Sequence, residues 1–134
     1  MADLSNAFVA DPELATEIQK RSTPVSLAAR PILFRQGEKP TAVYLVKGGE
    51  VLLTGQGDDI FTIRAGAGSL LGIPAVIGSK PYSLTAEALP GAQVDVLTAD
   101  EFIQLMQVNP ALAFQVLQIL ASEVRMAREA LAHA

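Results

Sequence analysis

A chain of 134 residues, half of them hydrophobic, is long enough to bury one core and too apolar to be a disordered tail. A net charge of −4, with no lysine or arginine block, argues against a mechanism built on broad phosphate attraction. The absence of cysteine excludes disulfides, iron–sulfur clusters and thiolate zinc sites.

The opening stretch "MADLSNAFVADPELATE" has neither a basic leader nor a continuous apolar run. No segment approaches the roughly 20 apolar residues of a membrane span. A cytoplasmic protein is the expectation. All 10 glycines fall between Gly37 and Gly91, which divides one domain into three parts. Residues 1–24 form a helical entry, 25–98 a turn-rich β-roll, and 99–134 a helical end.

In the entry, Asp11 is placed to cap a helix with Pro12 at its first position and Glu13 next. Leu14 and Ile18 give that helix one apolar stripe. The middle reads as short strands: "VSL" and "ILF" lead into the turn "RQGEKP". "AVYLVK" and "EVLLTG" flank Gly48-Gly49, the pattern of a two-residue hairpin. "DIFTIRA" alternates, with Ile60, Thr62 and Arg64 opposite Phe61, Ile63 and Ala65. "YSLTAEAL" and "AQVDVLT" flank Pro90-Gly91. The expected fold is mainly β with flanking helices: an eight-stranded β-roll or jelly roll plus a long C-terminal helix.

Thr98-Ala99-Asp100-Glu101 has the form of a capping box, and Phe102, Leu105 and Met106 follow it. Asn109-Pro110 restarts a helix, predicted over residues 110–132. Along it Ala113, Leu117, Leu120, Val124, Ala127 and Leu131 form a heptad seam, and Leu112, Val116 and Ile119 a second apolar face. One face is expected to pair with a second copy in a homodimer. The alternative is that both pack within one chain.

Catalytic chemistry finds little support. The sole histidine, His133, is penultimate, so a Ser–His or Cys–His relay is missing, as are the clustered histidines of a jelly-roll metal site. Asp58, Asp59, Glu87 and Asp95 are scattered over turns and strands and read as solvated surface charge. The chain is expected not to be an enzyme and to need no metal or cofactor.

The stretch "GAGSLLGIPAVIGSKPYSLTA", Gly66 to Ala86, is the candidate site. Its spacing, Gly66-x-Gly68-x-x-x-Gly72, is not the dinucleotide fingerprint, and its helix ends by Gly78. Gly72 followed by Ile73 to Ile77 has the order of an anion cradle built on backbone N–H groups, although Pro74 removes one donor. Ser83 would open the next strand and add a hydroxyl. Equally, the stretch reads as a tight connection whose apolar residues fill the mouth of the roll.

The order "LFRQGEKPTAVYLVKGGEVLL … AGAGSLLG … KPYSLTAEAL … VDVLTADEFIQLMQVNPALA" resembles the cyclic-nucleotide-binding domain of the Crp–Fnr regulators. The likeness runs from about Val25 to the end, with Gly37, Gly49, Gly68 and Gly72 at that roll's turn positions. It implies a sensory domain whose ligand repositions the long helix. The family's cassette has Glu after the glycine, to hold the ribose, where this chain has Ile73. It has Arg against the cyclic phosphate where this chain has Tyr82, and a Thr-Ser pair on the long helix where this chain has Ala127-Arg128.

Ligand contacts are thus expected from Leu71, Gly72, Ile73, Pro74, Ala75, Tyr82 and Ser83, with Arg125, Ala127 and Arg128 from the long helix. The replaced side chains imply a non-standard pocket that does not bind cyclic AMP in the usual way, occupied by another small or cyclic-nucleotide-like molecule. Ligand-free scaffolding as a dimer is the alternative. The family's regulators continue into a helix-turn-helix domain, whereas this sequence stops at Ala134; DNA binding by this chain alone is not expected, and a third reading makes it the sensory half of a longer regulator.

Overall fold

The computed structural model describes residues 8–28, 31–55 and 61–132, with side chains as far as Ala121 apart from that of Phe61. Helix α1, Pro12–Arg21, starts at its proline and buries Leu14 and Ile18. Eight strands follow: β1 Thr23–Pro24, β2 Ile32–Phe34, β3 Ala42–Gly48, β4 Val51–Gly55, β5 Phe61–Ala65, β6 Leu70–Leu71, β7 Thr85–Ala88 and β8 Gln93–Thr98. The short helix α2, Ile73–Gly78, lies between β6 and β7, and α3 (Ala99–Val108) and α4 (Pro110–Ala132) close the chain. The strands form two four-stranded antiparallel sheets, β1-β8-β3-β6 and β2-β7-β4-β5. This is the expected roll.

The continuous apolar run in β3 has a physical cause. Val46 faces the other sheet among Val51, Leu53, Ala86 and Val94. Val43 and Leu45 face the opposite way, into a second cluster with Leu14, Phe102, Leu105 and Leu112 from the helices. A strand covered on both sides has no solvent face to alternate with.

The expected Gly48-Gly49 hairpin is not a hairpin. β3 and β4 belong to different sheets, and so do β7 and β8. The Gly48-Gly49 step is a corner between sheets: Gly49 has φ 69°, and a Cβ there would lie 2.7 Å from Ala92 Cα. Gly91, φ 86°, turns the other corner. Local turn chemistry marks where the chain reverses, and packing decides which sheet receives the next strand. "VSL" forms no strand either; β1 is the two residues before it.

The helical end follows the sequence closely. Thr98 Oγ1 accepts a 3.2 Å hydrogen bond from the Glu101 N–H, the capping bond the sequence predicts, and donates to Glu101 Oε1 at 3.0 Å. The α4 faces divide as two. Leu112, Val116 and Ile119 are buried in the core, and Leu120 of the expected seam packs partly against it. Leu117 is 59% exposed and Phe114, which the seam did not include, is 63% exposed. The side chains of Val124, Ala127 and Leu131 lie outside the described residues. Among the described residues no single helix is long and apolar enough to cross a membrane.

Candidate ligand cradle

Gly72 sets the geometry. It caps α2 at φ 92°, a conformation that L side chains avoid, and a Cβ there would stand 3.1 Å from Ala42 O and 3.2 Å from Tyr82 Cε1. Its carbonyl accepts from the Val76 N–H at 3.2 Å. Ser79, not Gly78, takes the left-handed position that ends the helix.

Leu71, Gly72, Pro74, Ala75, Tyr82 and Ser83 come together around one cavity. Ser83 lies two residues before β7 rather than opening it. Ile73 does not join them. Its side chain is fully buried in the second cluster, against helices α1, α3 and α4, because the first turn of α2 aims it away from the roll. Arg125, Ala127 and Arg128 have side chains outside the described residues. Phe8, Phe34, Leu53 and Leu84 complete the lining and were not anticipated. The inward-facing Phe at the end of "ILF" was the available signal.

Tyr82 dominates the cavity. Its backbone is held on both sides: its N–H donates to Glu38 O at 2.9 Å, and its carbonyl accepts from the Gly37 N–H at 2.8 Å. Its hydroxyl donates to Ala42 O at 2.7 Å and accepts from the Ala42 and Thr41 N–H groups at 3.1 Å each. One donor and two acceptor positions are the full capacity of a phenol, and all three are used. The ring stacks on Phe34, centroids 4.1 Å apart. About 30 Å³ of free volume remains, room for about two waters and far below the roughly 300 Å³ at which small-molecule pockets begin. Among the described residues no charged side chain lines it.

Of the four carboxylates read as solvated, Glu87 is exposed, and Asp58 and Asp59 lie outside the described residues. Asp95 corrects the expectation: it is 3% exposed. Its Oδ2 accepts from Ser22 Oγ at 3.1 Å, and its Oδ1 lies 3.4 Å from Lys47 Nζ. An isolated pattern of alternation cannot reveal this, because α1 and β1 cover that end of β8 from outside the strand.

Two antiparallel four-stranded sheets with a short glycine-capped helix between β6 and β7 define the class of the fold, a β-roll domain. The family model for the cyclic nucleotide-binding domain matches residues 24–109, and the chain belongs to that family. Solved structures share its fold. The catabolite activator protein of Thermus thermophilus is 23% identical with a TM-score of 0.75; the match covers 98% of this chain and 62% of that one. The sensor domain of the transcriptional regulator DNR from Pseudomonas aeruginosa is 22% identical with a TM-score of 0.64, covering 90% of each chain. The c-di-GMP-responsive global regulator CLP of Xanthomonas campestris is 20% identical with a TM-score of 0.66, covering 90% of this chain and 60% of that one. Among curated proteins none matches.

Proposed function

We propose that this chain is a non-enzymatic regulatory domain whose nucleotide cradle is closed by its own Tyr82, so that cyclic AMP is not bound in the family's usual way. The observation that carries this is the Tyr82 ring, stacked on Phe34 and hydrogen-bonded through all its hydroxyl capacity, with about 30 Å³ left beside it. Among the described residues the cradle offers no cation to a cyclic phosphate, and Ile73, at the position of the ribose-binding carboxylate, faces another part of the core. A ligand that enters has to displace the ring and be more apolar and less charged than cyclic AMP.

Thermal-shift titration with cyclic AMP, cyclic GMP and cyclic di-GMP tests the reading. A ligand at 100 times its Kd stabilises a fold by about 2.7 kcal/mol, a readily seen shift. No shift is expected with cyclic AMP or cyclic GMP, and a saturable one with either overturns the proposal.

A second reading, a ligand-free interaction dimer, is favoured by the exposed Phe114 and Leu117 on α4. It predicts a dimer in solution and no small molecule in native mass spectrometry. Since the chain spans 62% of the length of the Thermus protein, a place as the sensory part of a longer transcriptional regulator is a further proposal, decided by the surrounding reading frame.

A further inference from the structure

A groove that carries both a buried carboxylate and an ammonium lies away from the Tyr82 cradle. Pro24, Val25, Leu27, Ala92 and Val94 wall a groove of about 420 Å³, with Lys47 and Asp95 set in it. That volume falls within the range of small-molecule sites. The Asp95 side chain is 4% exposed, and its Oδ1 has no hydrogen-bond partner among the described residues. Lys47 Nζ stands 3.4 Å away, beyond the 2.7–2.9 Å or so of a charge-assisted hydrogen bond. A buried carboxylate oxygen left short of a donor is costly, so the site favours a molecule that supplies one.

The charges select the class of that molecule. Lys47 and Asp95 sum to zero, so a simple anion meets the carboxylate and a simple cation meets the ammonium, each at a cost. A zwitterion satisfies both: its ammonium donates to Asp95 Oδ1, and its carboxylate accepts from Lys47, whose side chain is one-third exposed and has N–H donors to spare. The surrounding Pro24, Val25, Leu27 and Val94 suit an aliphatic or aromatic side chain. We propose that this groove is a binding site for an apolar α-amino acid, independent of the Tyr82 cradle.

The test is an NMR titration of the full chain with L-leucine and L-phenylalanine, with acetate and methylammonium as single-charge controls. Saturable shifts of the Lys47, Val94 and Asp95 amides by at least one amino acid, and weaker binding of both controls, are expected. Lys47→Met should weaken binding by about tenfold, as expected for one lost charged hydrogen bond. Because that variant leaves Asp95 without its neighbour and risks unfolding, Leu27→Trp provides a second one, which fills the groove and leaves both charges in place. It should abolish the shifts while the remainder of the spectrum stays native. The proposal is overturned if neither amino acid binds, if acetate or methylammonium binds as well, or if a folded Leu27→Trp variant still binds.

Discussion

The phenol of Tyr82 and the backbone of Ala42, forty positions apart in sequence, exchange two hydrogen bonds: hydroxyl to carbonyl at 2.7 Å and N–H to hydroxyl at 3.1 Å. This pairing ties the segment after α2 to the first residue of β3 and places an aromatic ring where the family resemblance implies an arginine. Tyr82→Phe removes the hydroxyl and leaves the buried Ala42 carbonyl and N–H, and the part-buried Thr41 N–H, without it. A loss of about 1–3 kcal/mol is expected, and Tyr82→Ala, which also vacates the stack on Phe34, should cost about 3–5 kcal/mol. Urea denaturation measures both, and equal stability of Tyr82→Phe and the wild type would show that the hydroxyl contributes nothing.

Gly72 and Gly66 provide a paired comparison. Gly72→Ala combines a positive φ with close approaches to Ala42 O and Tyr82 Cε1, and should destabilise by about 1–2 kcal/mol. Nothing lies within 4 Å of a Cβ at Gly66, so Gly66→Ala should stay within about 0.5 kcal/mol of the wild type. The order of the two midpoints in denaturant is the readout, and a reversed order contradicts the geometry.

The exposed pair on α4 bears on self-association. If Phe114 and Leu117 join two copies, the double variant Phe114→Ser, Leu117→Gln should sediment as a monomer while its thermal unfolding stays close to that of the parent, since both side chains already face solvent. A wild-type chain that sediments as a monomer at high concentration removes the dimer reading.

Glu17 provides a pH-dependent contact. Its carboxylate accepts from Lys20 Nζ at 3.0 Å and from Arg21 Nη1 at 2.9 Å. These hydrogen bonds, that from Lys20 foremost, hold its pKa below the ordinary carboxylate range. With the folded value below the unfolded one, the contribution is complete above the ordinary range and is lost as pH falls through the lowered value. The stability difference between wild type and Glu17→Gln should therefore be positive at neutral pH and vanish in strong acid. Because the two cations that hold it lie at the surface, added salt should shrink the difference; an acid- and salt-independent difference would refute this account.

The sequence by itself determined the features that depend on residues a few positions apart. Pro12 starts α1, Thr98 caps α3 through the Glu101 N–H, Asn109-Pro110 divides α3 from α4, and glycines at 37, 49, 68, 72 and 91 adopt positive φ. It also brought out the frame of the cradle, since Leu71 to Ala75 and Tyr82-Ser83 lie within one short stretch. Tertiary structure alone decided the remainder. Whether Gly48-Gly49 closes a hairpin or turns a corner depends on which sheet covers β4. The direction of Ile73 depends on the helices packed beyond it, the burial of Asp95 on Ser22 and Lys47 brought from elsewhere, and the closure of the cradle on a phenol reaching Ala42. Caps and turns are set by hydrogen bonds between near neighbours, while burial is set by whatever the rest of the chain places on the other side.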